Sequence, residues 1–171
     1  MNIFVTTIVC ANILGALNED VNCQLSFRQT NEDEALKAYI DKPNEENFMK
    51  LCAAAKHAKK NEKLQVIYHY SIVSEFMRPI DPAITEKEVE ISRDALRKSS
   101  KKLGEYLGIV IQKHQNPWRR WTAAKVVGKY GGKECLESLQ KYQKAEKNEV
   151  VRKYLDEAIK KLNSKKSNDL H

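Results

Sequence analysis

The sequence predicts an all-α protein in which antiparallel helical hairpins stack as a short α-solenoid. The 171-residue chain contains only six glycines and four prolines, fewer breaks than a sheet with many turns requires. Apolar residues recur at three- and four-residue steps, and strand-like alternation persists nowhere beyond the first 17 residues. Near the C-terminus a helical pattern returns after 32 residues, the length of one helical hairpin with its connection.

The first 17 residues are expected to form a secretory signal peptide or an N-terminal anchor. Residues 3–17 are uncharged and mostly apolar, too few to span a bilayer comfortably but typical of the apolar part of a signal. Ala11 and Ala16 offer cleavage positions, although no Lys or Arg precedes the run. A buried first helix is the alternative. The segment favours an exported protein (periplasmic, secreted or membrane-anchored), with membrane contact only if it stays uncleaved; a cytoplasmic protein is the alternative.

The cysteines do not settle the compartment. Cys10 would leave with a cleaved signal, and Cys23, Cys52 and Cys135 show no metal-like spacing. Cys52 and Cys135 fall in apolar helical patterns, which predicts small core residues. A disulfide that involves Cys23 stays open.

Residues 30–78 are expected to form the helical N-terminal half of a repeat-like domain that extends over residues 30–162. Thr30 and Asp33 make a cap-like pair before the first helix. Asn44 can cap the second helix, and Asn61 separates the second helix from the third.

A loop with two prolines, residues 78–84, is the clearest break in the chain and leads to the C-terminal half, residues 85–162. Thr85 and Glu88 have the spacing of a capping box. The sequence therefore divides into two helical halves.

Gly104 and Gly108 lie inside the apolar helical stripe that follows. Glycine costs about 1 kcal/mol relative to alanine in a helix interior. Its use here predicts either a close helix contact or a break near residues 99–102.

The stretch "NPWRRWTAAKVVGKYGG", residues 116–132, contains the signals of a complete helix. Asn116 is a good N-cap, and Pro117 suits the first helical position because its missing N–H costs nothing there. Small apolar residues follow, and Gly131 is expected to end the helix. A second helix begins at once with apolar residues at helical spacing.

Alignment of Asn116 with Asn148 pairs Arg120 with Arg152 and apolar positions with apolar positions. This pattern resembles the HEAT-repeat family over about residues 116–162. The residues that carry the resemblance are Asn116, Pro117, Arg120, Ala123, Ala124, Val127, Gly128 and Gly131 in the first unit, and Asn148, Val151, Arg152, Ala158 and Ile159 in the second. The second unit departs from the pattern at Glu149, where proline is expected, and at residues 155–156.

The resemblance implies a HEAT-like solenoid in which the arginine four positions after the Asn or Asp commonly binds an Asn or Asp side chain and the backbone carbonyls of neighbouring units. Arg120 and Arg152 are therefore expected to be structural rather than ligand-binding. The structural repeat positions are Asn116, Pro117, Arg120, Gly131, Asn148 and Arg152.

Charge is distributed unevenly. Residues 97–171 carry 19 Lys and Arg against 8 Asp and Glu, whereas residues 1–96 carry 11 against 15. A basic half favours an acidic partner, although lysines that alternate with Glu are also typical of solvated helix faces. The candidate binding residues are Trp118, Arg119, Lys125, Lys129 and Lys133. Trp121 is expected to pack on the adjoining repeat.

The sequence favours a non-enzymatic protein-interaction or scaffold module whose partner is another, unidentified and acidic, protein. The alternative is a basic nucleic-acid-binding repeat module in the cytosol. The four histidines belong to no catalytic or metal-binding motif, and the sequence contains no phosphate-binding loop. The sequence therefore argues against an enzyme, and no catalytic residue, cofactor or metal is predicted. The polar residues 163–171 are expected to be disordered.

Overall fold

The computed structural model describes residues 31–74 and 84–165. Within these ranges the chain is helical throughout its regular elements and contains no strand. The predicted all-α class is therefore confirmed. The expected signal segment, Cys10, Cys23, Thr30 and most of the two-proline loop lie outside the described residues.

The helices follow one another with short connections. In chain order they are α1 (residues 31–41), α2 (Glu45–Ala55), α3 (Glu62–Val73), α4 (Glu86–Lys98), α5 (Leu103–Tyr106), α6 (Gly108–Lys113), α7 (Pro117–Tyr130), α8 (Leu136–Ala145) and α9 (Glu149–Lys165). Short 3-10 turns, Ser100–Lys102 and Lys133–Cys135, precede α5 and α8.

Side-chain caps set the starts of α2 and α3, as the sequence predicts. The Asn44 side chain accepts a hydrogen bond from the Asn47 N–H at the start of α2, at 2.9 Å. Asn61 accepts from the Leu64 N–H at the start of α3, at 3.2 Å. Each bond satisfies one of the N–H groups that have no partner inside the helix.

Thr85 and Glu88 form the predicted capping box at the start of α4. The Thr85 hydroxyl accepts from the Glu88 N–H at 3.3 Å, and the Glu88 carboxylate accepts from the Thr85 N–H at 2.9 Å. The two bonds fix the point at which the chain re-enters helical structure after the two-proline loop.

Both structural features predicted from Gly104 and Gly108, a break in the helix and a close helix contact, are present. The helical path breaks at the 3-10 turn Ser100–Lys102 and again at Leu107, between α5 and α6. A side chain on Gly104 would press on Cys135, with its Cβ 3.0 Å from the Cys135 Cβ, and one on Gly108 would overlap the Tyr142 ring. The bare backbone there allows α5 to approach the 3-10 turn Lys133–Cys135 and α6 to approach α8 closely.

One buried apolar cluster contains residues from α1 to α9. Helix α3 packs on α2 and on α4, so the packing continues from the N-terminal half into the C-terminal half. The largest fully buried side chains are Tyr39, Phe48, Leu51, Leu64, Ile67, Tyr70, Ile72, Leu96, Leu103, Leu107, Ile111 and Leu139.

Cys52 and Cys135 belong to this cluster as free thiols, as their apolar patterns predict. Burial raises the pKa of the Cys52 thiol to about 12. The Cys135 Sγ contacts the Ser100 carbonyl at 3.2 Å and the Gly104 N–H at 3.2 Å. Both cysteines serve as small packing residues.

The C-terminal boundary of the fold lies later than expected. Helix α9 continues to Lys165, so residues 163–165, which were expected to be disordered, are helical. The Lys165 ammonium donates to the Lys129 carbonyl at 2.9 Å and the Gly131 carbonyl at 3.2 Å, at the end of α7. This long-range contact stabilises the last turn, and it cannot be recognised from a locally polar sequence. Residues 166–171 lie outside the described part of the chain.

Candidate interaction surface

Helix α7 carries most of the predicted binding residues, and its ends form as expected. The Asn116 side chain accepts from the Trp118 N–H at 3.0 Å. Pro117 occupies the first turn, and Gly131 follows the last residue of the helix. In the second unit, the Asn148 side chain accepts from the Val151 N–H at 3.1 Å at the start of α9.

Helices α7 and α9 pack on each other more extensively than any other helix pair in the described chain, and the positions of their contacts show that they run in the same direction. Trp121 contacts Tyr154 near the starts of the two helices, and Lys165 reaches Gly131 at their ends. Between these contacts, a Cβ on Gly128 would lie 2.7 Å from the Ala158 Cα. The first helices of the two aligned units therefore lie parallel, with the small residues at their closest approach.

An aromatic seam joins α7 to α9 on the outer side of this pair. We define the aromatic seam as the rings of Trp118, Trp121 and Tyr154 together with the exposed side chain of Val150. The Trp121 and Tyr154 rings stack with centroids 4.4 Å apart and an interplanar angle of 17°. The Trp118 ring meets Trp121 edge-on, at 6.0 Å between centroids. Trp121 thus packs on the neighbouring unit, as predicted.

The aromatic seam is incompletely covered. Trp118 is 39% exposed and Val150 is 56% exposed, while Trp121 and Tyr154 are half-buried. Because α7 and α9 are parallel, Trp118 and Val150 lie at the same end of the pair. Large aromatic groups in this state are enriched in protein interfaces, where they supply contact area at low entropic cost.

Lys125, Lys129 and Lys133 are exposed, as the predicted binding role requires. The Lys125 ammonium lies 5.9 Å from the centre of the Trp121 ring, and the Lys129 ammonium lies 5.2 Å from that of Tyr130. We refer to these three lysines as the cation row. Lys125 and Lys129 continue from the aromatic seam toward the C-terminal end of α7, and Lys133 follows in the 3-10 turn after it.

Arg119 does not belong to the cation row. The expectation that it forms part of an exposed binding face is wrong, since Arg119 is only 5% exposed. One residue corresponds to about 100° around a helix, so Arg119 points toward α2 while Trp118 points outward. Its guanidinium binds the Glu45 carboxylate, with Nε 3.0 Å from Oε1. Its Cζ lies 4.5 Å from the centre of the Trp118 ring.

His114 completes the junction between α2 and α7. Its Nδ1 accepts from the Asn116 N–H at 3.0 Å, so the neutral ring carries its hydrogen on Nε2, which lies 3.4 Å from the Glu45 Oε2. Burial lowers the pKa of His114 to about 4; Glu45 opposes this shift, and Arg119 and Arg120 add to it. The imidazole is therefore neutral at physiological pH.

Arg120 connects the chain before α7 to the chain before α9. Its guanidinium binds both carboxylate oxygens of Glu146, with Nε–Oε2 at 2.8 Å and Nη2–Oε1 at 3.1 Å. Nη1 also donates to the carbonyls of His114 at 2.8 Å and Gln115 at 3.3 Å. The Glu146 carboxylate further accepts from the Asn148 N–H at 2.8 Å. These contacts set the spacing of the two units.

Arg152, which aligns with Arg120, has no such environment. Its side chain is exposed. Among the described residues no hydrogen bond or ion pair of its side chain is found, which contradicts the structural role that was expected. The reason is that no later helix in the described chain supplies carbonyls or a carboxylate beside α9.

A surface cleft of about 310 Å³ opens beside the Arg120–Glu146 pair. Ile111, Gln112 and Tyr142 contribute to its walls. The carboxylate and guanidinium in the cleft are already engaged with each other and with backbone groups, so the cleft offers few free polar partners to a ligand.

The described ranges also contain no grouping of three or more His, Cys, Asp or Glu side chains that could hold a metal ion. None of the helices in those ranges is long and apolar enough to cross a bilayer.

Sequence reasoning missed Glu45 and Glu146, the acidic partners of Arg119 and Arg120. No local signal identifies Glu45, which is 74 positions from its partner. Glu146 could have been noticed from its position, because it lies two residues before Asn148, where the second aligned unit begins.

Comparison with known proteins adds no further assignment. No protein-family model matches the chain, and no curated protein or solved structure matches it.

Proposed function

We propose that this chain is a non-enzymatic protein-interaction module of HEAT-repeat type that binds an acidic partner protein. The observation that carries the proposal is the parallel packing of α7 on α9, two helices that begin with asparagine caps at Asn116 and Asn148. In an α-solenoid, equivalent helices of consecutive units pack side by side in this way and leave an extended face for partners.

The side chains at the contact between the units support this proposal. A glycine on α7 faces an alanine on α9 where the helices are closest, as the small residues of the HEAT-like pattern require. Arg120 binds backbone carbonyls next to its own unit and the carboxylate before the next unit. A bidentate pair of this kind fixes orientation as well as distance.

Charge indicates the kind of partner. The cation row is exposed, and two of its lysines, Lys125 and Lys129, lie on the same helix as Trp118 and Trp121. An acidic protein surface would therefore be both attracted and provided with contact area. The basic excess of residues 97–171 extends this attraction beyond the contact itself.

The test is a binding measurement with the full chain and a short fluorescein-labelled peptide of mixed Glu, Asp, Leu and Phe. Reversal of the cation row, in the triple variant Lys125→Glu, Lys129→Glu and Lys133→Glu, is expected to weaken binding about tenfold or more in fluorescence anisotropy. The matched control reverses three exposed lysines elsewhere, Lys59, Lys60 and Lys87. Both triple variants change the net charge equally. A larger loss of affinity in the first variant would therefore show that the cation row acts locally.

Equal losses in the two triple variants would reduce the effect to overall charge and would contradict the proposal. A single-stranded oligonucleotide provides the second comparison. If it binds more tightly than the acidic peptide, and the logarithm of its binding constant falls steeply and linearly with the logarithm of salt concentration, the surface is a nucleic-acid site instead.

A further inference from the structure

The exposed face of α7 has an apolar end and a cationic end. At about 100° per residue, Trp118, Lys125 and Lys129 lie within an arc of about 40°, and all three are exposed. The aromatic seam occupies the N-terminal end of this face. The cation row begins one to two turns later.

The distances along the helix are defined by its rise. At about 1.5 Å per residue, Lys125 lies about 10 Å and Lys129 about 16 Å along the axis from Trp118. An extended peptide advances about 3.3 Å per residue. It therefore covers these two distances in about three to five residues.

Helix α9 contributes to the same face. Val150 lies one turn before Tyr154 and is exposed beside the stacked pair. Glu157 is half-buried and Lys161 exposed on the following turns. With Lys125 and Lys129 opposite them, this face retains a net positive charge.

We propose that this surface binds an extended acidic segment of the partner that carries one large apolar side chain at a fixed distance from its acidic residues. The apolar side chain packs on Trp118 and Val150. Asp or Glu residues about three to five positions away pair with Lys125 and Lys129. This inference rests on the proposed function and adds to it a rule for the sequence that is recognised.

The aromatic groups are arranged to act as such an anchor. Trp121 is held by its stack on Tyr154, and Trp118 is backed by the buried Arg119 guanidinium. Side chains that are already fixed lose little freedom on binding, which raises the affinity that a given contact area supplies. Lys125, close to the Trp121 ring, connects the two ends of the surface.

The experiment compares three labelled peptides of equal length and charge on the full chain. In the first, a Trp stands four residues from a pair of Glu; in the second, the Trp is replaced by Ser; in the third, the Trp directly adjoins the Glu pair. The first peptide is expected to bind about tenfold more tightly than the other two. Equal affinities for all three would overturn the spacing rule.

Protein variants locate the anchor. Trp118→Ser and Val150→Ser, tested separately, are each expected to weaken the first peptide severalfold and to leave the second unchanged. The matched control is Ile91→Ser, because Ile91 is 53% exposed and lies on α4, outside the α7–α9 pair. Far-UV circular dichroism verifies that each variant is folded. Val150→Ser tests the anchor while Trp118 still covers the Arg119 guanidinium.

The outcomes separate this inference from the proposed function. If the second peptide binds as well as the first and still loses affinity on reversal of the cation row, the acidic-partner function stands and the anchor is refuted. If none of the peptides binds, both proposals fail. Tighter binding to single-stranded DNA, to phosphatidylserine vesicles or to a second copy of the chain would likewise overturn the peptide assignment.

Discussion

The Arg119 guanidinium lies between the Glu45 carboxylate and the Trp118 indole, bound to the first and 4.5 Å from the centre of the second. One arginine thus connects the N-terminal helices to the proposed binding surface. Tyr70 strengthens the same junction, because its hydroxyl donates to the Arg119 carbonyl at 3.1 Å.

We expect Glu45→Ala to destabilise the fold by about 1–3 kcal/mol, because it leaves the buried Arg119 without this carboxylate. Glu45 is itself 42% exposed, so the loss falls below that of a fully buried pair. Urea unfolding followed by circular dichroism measures the effect. The control is Glu46→Ala, which removes a surface pair with Lys50 and should leave the midpoint unchanged. Equal shifts in the two variants would contradict the role of Glu45.

Arg120→Ala should cost about 2–4 kcal/mol, since it removes a bidentate pair and several bonds to carbonyl oxygens. Arg152→Ala, at the aligned position, should change stability by less than about 0.5 kcal/mol because its side chain is exposed. Chemical denaturation of the two variants, measured side by side, tests this difference. Similar costs would mean that Arg152 has a structural role after all.

Gly128→Ala should destabilise the protein by about 1 kcal/mol or more, although alanine is the better helix former. The new methyl group would meet the backbone of Ala158 at 2.7 Å, so the close approach of α7 and α9 has to widen. Gly132→Ala provides the control, because a methyl group there meets the movable end of the Glu134 side chain. Thermal unfolding of both variants decides; a Gly128→Ala protein as stable as the parent would show that the helix contact has room to spare.

Acid should weaken the fold through His114, whose imidazole is buried and neutral. The folded pKa of His114, about 4, lies below its ordinary value of 6.5, so the unfolded chain takes up the proton first and stability falls as the pH drops from 6.5 toward 4. We expect a loss of about 1–3 kcal/mol over this range. Burial also lowers the pKa of His69, which acts in the same direction.

Urea unfolding at a series of pH values from 6.5 to 4.5 measures this dependence. His114→Gln and His69→Gln should each flatten the curve, with the larger effect at His114. The lower limit excludes most of the contribution of Glu146. Burial raises the pKa of this carboxyl, but its bonds to Arg120 and to backbone N–H groups outweigh burial and lower it, so its stabilisation is lost only at more acidic pH. Unchanged curves in both histidine variants would refute the assignment.

Features that depend on neighbouring residues could be predicted from the sequence. Asn44, Asn61 and the Thr85–Glu88 box each cap a helix through bonds that span three residues. The glycines at 104 and 108 also indicated a break or a close contact, and both occur. Such signals are local, so the chain itself displays them.

Features that depend on distant contacts could not be predicted. Arg119 and Lys125 both look like solvent-facing cations in the sequence, but only the fold brings Glu45 beside Arg119. The helical state of residues 163–165 depends in the same way on the carbonyls at the end of α7. Of the aromatic seam, only Trp118 and Trp121 on α7 could be predicted, because no sequence pattern identifies Tyr154 as the partner of Trp121.

The contacts across the middle of the molecule indicate that its two halves are not autonomous. The His69 ring lies 3.1 Å from the Ser92 hydroxyl between α3 and α4, and the Gln115 N–H donates to the Pro43 carbonyl at 2.8 Å. A protein assembled from two separately produced fragments, divided between residues 74 and 84, would retain every one of these bonds without a covalent connection. We therefore expect the two fragments to reassemble when mixed and to restore the proposed binding surface.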